Sequence, residues 1–186
     1  MTEELREDLL ARWSETHRKH HTVAHLHEML DAVGLLADAG VDFDREAVEL
    51  AAWFHDAIYE IGSDDNEDRS AELARELLAS SPIRDEVARL VLATKTHKVP
   101  ADDINGAVLS DADLSVLGSE PLRYREYAAA VREEYADVPD AVFKPARAQV
   151  LSALLEGQLF HTAAGRQRWE DRARRNLAEE IAELTG

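Results

Sequence analysis

Residues 19–30 read KHHTVAHLHEML, and the spacing inside this stretch decides the class of fold. His21 and His25 are four apart, and the same helical face continues through Met29, Ala32 and Leu36. Histidine therefore heads a stripe of core-type side chains. Such a residue is either a buried histidine with satisfied hydrogen bonds or a ligand. Working outward, the texture repeats: Ala, Leu, Glu and Arg dominate, and no segment sustains a period-2 alternation of apolar and polar residues. The pattern predicts helices at about 2–18, 23–39, 44–58, 65–80, 83–97, 103–117, 120–136, 144–160 and 163–184. Breakers fall between them, at Gly40, Gly62, Pro82, Pro100, Gly118 with Pro121, Pro139 and Gly165. With no repeat and no Gly/Ser/Pro-rich linker, the expectation is an all-α fold, a compact single-domain bundle of about nine helices covering 1–186.

The 186 residues carry 38 acidic and 21 basic side chains, for a net charge of −17. Most of that charge reads as the solvated faces of helices. An acidic surface repels phosphate backbones and anionic headgroups, which argues against general nucleic-acid or membrane binding. No apolar run approaches the length of a membrane span. The first residues, with Glu3, Glu4, Glu7 and Asp8, are unlike a secretory signal, so a cytoplasmic protein is expected. Cysteine is absent, which excludes disulfides, thiolate metal sites and a thiol nucleophile. Any transition-metal site must be built from His, Asp and Glu. Five of the eight histidines (His17, His20, His21, His25, His27) fall within eleven residues, and that is the first sign of chemistry. The last helix places Trp169, Ala173, Leu177 and Ile181 four apart, a narrow stripe suited to the edge of the core or to a homodimer interface.

AAWFHDAIYE (51–60) supplies a second signal. His55 follows Val48, Ala51 and Ala52 on an apolar face, and Asp56 adds a carboxylate with no Arg or Lys within eight residues on either side. A buried carboxylate needs a partner, and a divalent cation shared with His55 would serve. The third signal is AVLSDADLSVLG (107–118), where Asp113 aligns with Leu109, Val116 and Leu117, while Asp111 points about 160° away. Asp111 better suits a carboxylate favouring a helix N-terminus. Asp-x-Asp also begins the nucleophile motif of haloacid-dehalogenase-type phosphatases, but that motif ends a buried parallel strand, and nothing here predicts a sheet.

The order His … His-Asp … Asp on a helical chain resembles the HD-domain superfamily, in particular a bacterial branch of predicted metal-dependent phosphohydrolases. Similar motifs are HHTVAH (20–25), WFHDAIYE (53–60), NEDRSAELA (66–74), LATKTH (92–97), DADLSVLG (111–118) and VPDAVF (138–143). His20 departs from the tyrosine usual before the first motif histidine. The resemblance implies that His25, His55, Asp56 and Asp113 ligate one divalent metal ion, with Mn, Fe, Co, Ni, Zn and Mg not distinguished. It implies that His21 donates a proton to the leaving group, and that Asp56 or Asp113 serves as general base to a metal-activated water. Lys95, His97 and His20 are candidate substrate contacts, and Glu67 and Asp111 candidate supports behind the ligands. For Lys95 and His97 a helix C-terminus that favours cations is the competing reading. For Glu67 it is a helix-start carboxylate. SDDNED (63–68) is not an EF-hand, because Arg69 and Arg75 stand where that loop needs Gly and Glu. His17 and His27 read as surface or supporting residues, His161 is unassigned, and Phe143 and Arg147 read as packing, with Arg147 able to reach an anion.

The function expected is a phosphohydrolase, mono- or diesterase, acting on a small phosphorylated molecule with nucleotides among the candidates. The alternatives are a non-catalytic helical module that binds metal or nucleotide, and an HD-type iron oxygenase. The oxygenase needs a second iron and extra histidines, whereas His97 is the only histidine between Asp56 and Asp113.

Overall fold

The structure, a computed structural model, describes residues 1–186 as helices and turns without a strand. In chain order these are α1 (Glu3–Trp13), α2 (Val23–Asp38), α3 (Arg45–Phe54), α4 (Asn66–Leu77), α5 (Arg84–Thr94), α6 (Ile104–Asp113), a 3-10 turn (Leu114–Gly118), α7 (Pro121–Glu134) and α8 (Asp140–Glu156). The last helix opens as a single turn, α9 (Ala163–Gly165), passes through a π turn (Arg166–Glu170) and continues as α10 (Asp171–Thr185). Nine of these helices have ten residues or more, so the all-α bundle expected from the sequence is the fold observed.

Local chemistry starts the helices. Side chains of Thr2, Asp44, Asp103 and Thr162 accept hydrogen bonds from the backbone N–H groups of Leu5, Ala47, Gly106 and Gly165, satisfying donors that a first turn leaves open. Pro121 opens α7, where its missing N–H is not needed. Gly40, with φ of 84°, ends α2 in the left-handed region.

Packing unites these elements around one apolar cluster of 37 buried residues. Helices α2, α3, α5 and α6 pack on one another at its centre, with α1 against α2 and α4 against α5. Fully buried side chains such as Leu26, Met29 and Leu36 each contribute about 1.5–3 kcal/mol. α10 lies across α8 and the 3-10 turn, burying Trp169, Ala173 and Leu177. That stripe is therefore used within the chain, which removes the sequence feature that had suggested a homodimer. No helix is long and apolar enough to cross a membrane.

Several helices are shorter than expected, and tertiary partners explain where they stop. The first ends at Trp13 rather than near 18, so residues 14–22 form a loop and His21 lies outside α2. The i, i+4 face predicted for His21 and His25 is not formed; His25 alone heads the α2 stripe. α3 stops at Phe54 instead of 58. Beyond it the Arg18 guanidinium donates to the carbonyl of Asp56 (2.7 Å), and Ser70 Oγ accepts from Ile58 N–H (3.0 Å), so the chain finds partners outside a helix. α5 ends at Thr94, three residues before His97, whose φ of 51° is incompatible with a helix. The segment predicted as 103–117 divides at Asp113 into α6 and the 3-10 turn.

Candidate metal centre

His25 projects from α2 and is 3% exposed. Its Nε2 lies 3.2 Å from Asp113 Oδ1, at the C-terminal end of α6. His55 is the first residue beyond α3, and its Nδ1 lies 2.8 Å from the Ala52 carbonyl. A carbonyl only accepts, so Nδ1 carries the hydrogen and Nε2 is aimed at the carboxylates. That Nε2 is 3.1 Å from Asp56 Oδ2 and 3.7 Å from Asp113 Oδ1, yet it is buried without a hydrogen bond. Donor atoms of His25, His55 and Asp56 all lie within 4.8 Å of one another, with Asp113 bordering the triple.

No lysine or arginine pairs with either carboxylate; their only ion pairs are with His25, His55 and His97. Burial disfavours charge on His55, but Asp56 and Asp113 outweigh it and raise its pKa to about 9. Burial likewise opposes ionisation of Asp56 and Asp113, and the adjoining His55 more than compensates, holding both carboxyls well below the usual range. Two carboxylates thus face an imidazole nitrogen that demands positive charge, from a proton or from a cation. Two imidazoles and two carboxylates, one nitrogen orphaned, fit a divalent metal ion of the N/O-preferring kind.

The scaffold fixes this geometry. Trp13, fully buried, donates from Nε1 to the Trp53 carbonyl (3.0 Å), and its ring lies 5.4 Å from that of His55 and 6.2 Å from that of His25. Arg18, 3% exposed, holds the His55–Asp56 turn through the carbonyls of Asp56 and, at 3.4 Å, Ala57.

Beside the cluster stands a histidine with its own carboxylate. His21 Nδ1 lies 2.8 Å from Glu134 Oε2, and Glu134 Oε1 accepts from the backbone N–H groups of Lys19, His20 and His21 at 2.8, 2.9 and 3.0 Å. Tyr59 donates its hydroxyl to the same carboxylate (3.0 Å) and stacks on His21 with ring centres 4.1 Å apart. Burial works against charge on both groups. Their mutual bond prevails, raising the pKa of His21 and lowering that of Glu134 to about 2.

Neither Glu134, Arg18 nor Tyr59 was singled out from the sequence. For Glu134 a signal existed: it follows Tyr124, Tyr127 and Val131 at helical spacing on a buried stripe, the same logic that exposes Asp113.

Other sequence candidates divide. His97 joins the site, with Nε2 3.6 Å from Asp113 Oδ2 and Nδ1 bonded to Ser110 Oγ. His20 packs edge-on against Tyr127 at the cavity wall, and burial, with His25 and His21 nearby, holds its pKa well below the ordinary value. Glu67 also lines the cavity. Lys95 is not brought in: its ammonium donates to Asp68 and to the Asp64 carbonyl, both at 2.6 Å. Asp111 turns away from the cluster. It is fully buried, accepting from His161 N–H (2.6 Å), Thr162 N–H (2.9 Å) and the Thr162 hydroxyl (2.7 Å). It serves a helix N-terminus, as its polarity suggested, but that of α9 rather than its own helix. Arg147 is paired with Glu180 at 2.9 Å and bonded to the Tyr127 hydroxyl, so it packs as the sequence suggested. His161 reaches the His97 carbonyl at 3.3 Å.

All this opens on a cavity of about 520 Å³ whose lining combines His55, Asp56 and Asp113 with Tyr127, Val131, Val138 and Phe143. No protein-family model, curated protein or solved structure matches this chain. Its chemistry is therefore read from the site.

Proposed function

We propose that this protein is a metal-dependent phosphohydrolase of the HD type, cleaving a phosphoric ester of a small molecule and working in the cytoplasm with one divalent ion. The observation that carries the reading is the orphaned, buried Nε2 of His55, set among His25, Asp56 and Asp113 at the floor of a cavity. A divalent cation held there would lower the pKa of a water toward neutrality and offset negative charge on the phosphoryl group.

The chain's own groups complete the task. Asp56 and Asp113 each present two oxygens, so either can take a proton from an attacking water. His21 lies on the cavity wall, and with Glu134 accepting from its Nδ1–H, its Nε2–H is available to the leaving oxygen. Glu134 is itself fixed by three backbone N–H groups and Tyr59, so it orients His21 and favours its charged form. His97 and His20 line the same wall and can contact the ester.

Metal analysis of protein purified without chelator should give about one equivalent of divalent ion per chain, lost in His55→Ala and Asp56→Ala. Phosphate release from a panel of mono- and diesters, with Mn, Fe, Co, Ni, Zn and Mg supplied in turn, tests the activity. Full metal retention in both variants would sink the site assignment. Bound metal without phosphate release from any ester would point to a binding module, and turnover that requires iron and dioxygen to an oxygenase.

A further inference from the structure

The apolar share of the cavity lining bears on what is attached to the phosphate. Of the 21 residues that line the whole cavity twelve are hydrophobic, and none is Lys, Asn, Gln or Ser. Its one arginine, Arg147, is already committed to Glu180 and the Tyr127 hydroxyl. The Thr94 hydroxyl is given to the Val91 carbonyl, and that of Tyr59 to Glu134. A second or third phosphate would find no free cation there. For the edge of a nucleobase the lining offers, beside its histidines and the metal-site carboxylates, only the hydroxyls of Tyr127 and Tyr135 and the Glu67 carboxylate, and each polar group left unpaired there carries a cost. Meanwhile Val142, Ala146 and Val150 repeat every fourth residue along α8 and line the same cavity, although Val142 is 59% and Val150 56% exposed. At 1.5 Å per residue they form an apolar track about 12 Å long, exposed where His55 and Asp56 of the same cavity are buried. A track of this length suits a chain better than a flat ring.

We propose that the ester hydrolysed here is a phosphomonoester of a hydrocarbon chain, its phosphate at the His55–Asp56–Asp113 end and its chain along Phe143, Val142, Ala146 and Val150. The inference rests on the phosphohydrolase reading for its chemistry and on the cavity for its specificity. Cleavage consumes one water and yields the alcohol and inorganic phosphate, with the leaving oxygen taking a proton.

The test uses the full chain with its metal and a series of ethyl, butyl, hexyl and octyl phosphates beside nucleoside mono- and triphosphates. The expected result is a rise in kcat/KM of about fourfold for each methylene that the track covers, with octyl phosphate well ahead of every nucleotide. Ala146→Asp and Val142→Asp alter exposed positions on the track and should cut the octyl-to-ethyl preference in kcat/KM about tenfold. Equal rates along the series, or nucleotides ahead of octyl phosphate, would overturn the proposal and leave the hydrolase reading standing. If no ester at all is hydrolysed, the hydrolase reading fails separately. Calorimetric binding of octylphosphonate against ethylphosphonate then decides: a preference for octyl that Ala146→Asp abolishes supports the apolar track, and equal or absent binding overturns it.

Discussion

His21 and Glu134 are 113 positions apart in sequence, yet the imidazole Nδ1 and the carboxylate Oε2 meet at 2.8 Å. The pair joins the loop before α2 to the last residue of α7 and sets the protonation of the histidine that faces the cavity. Because Glu134 raises the pKa of His21, its removal should lower it. Glu134→Gln keeps the shape but loses the charge. The alkaline limb of the kcat/KM profile should then move to lower pH, because the protonated donor is lost earlier, and kcat should fall about 10- to 100-fold, less than the loss of the acid itself would cost because His21 remains. An unmoved alkaline limb would mean that His21 is not the proton donor.

The same carboxylate makes a prediction about stability alone. Glu134 is held down to about 2, below the ordinary 4.5 of a glutamate, so between those values the unfolded chain binds the extra proton. Its contribution is complete above about pH 4.5 and fades as pH falls toward 2. From that lowering it amounts to about 3 kcal/mol. Urea unfolding at pH 6, 4 and 3 should show the wild type losing stability more steeply than Glu134→Gln, with the two converging at low pH. Parallel curves would contradict the assignment.

Asp111 and Asp113 are two residues apart and do different work. Asp113→Ala should lower metal affinity tenfold or more and leave the helical content intact. Asp111→Asn should keep the metal, because its oxygens hold His161 and Thr162 rather than the cluster. It should instead cost about 2–3 kcal/mol, the value of hydrogen bonds to a buried charge. Gly165 is part of the same arrangement, since a Cβ there would overlap the Asp111 carboxylate. Metal titration and thermal unfolding of the two variants separate the roles, and the reverse pattern would exchange them.

That contrast shows how far the sequence could be read. Periodicity set Asp113 on a different face from Asp111, because residues three and four apart on one helix share a face, but it did not show which face is covered: Asp111 is fully buried and Asp113 only partly. His25 with Met29, Ala32 and Leu36 was legible for the same reason, and all four are buried. The ends of helices were not. α3 stops at Phe54 because Arg18 and Ser70 take over its next backbone groups, and those partners lie 38 and 12 residues from their contacts. Lys95 looked free at a helix end, but Asp68, 27 residues away, holds it. Glu134 is a mixed case. Its place on the Tyr124–Tyr127–Val131 stripe was visible, whereas its three backbone donors and His21 are supplied only by the packing of α7 on the loop before α2.

Trp13 couples the core to the site and can be tested without any assumption about substrate. Its indole N–H satisfies the Trp53 carbonyl two residues before His55, and its ring packs beside both His25 and His55. Trp13→Phe retains most of the apolar volume but leaves that carbonyl without its donor, which should cost about 1–3 kcal/mol. Trp13→Ala adds a cavity in a fully buried position and should cost about 3–5 kcal/mol. Both variants loosen the wall that fixes the His55 ring, so metal affinity should fall together with stability, more in the alanine variant. Urea unfolding of the metal-free protein gives the first quantity and metal titration the second. A stability loss with unchanged metal affinity would mean that the Ala52 carbonyl alone orients His55, and that Trp13 belongs only to the core.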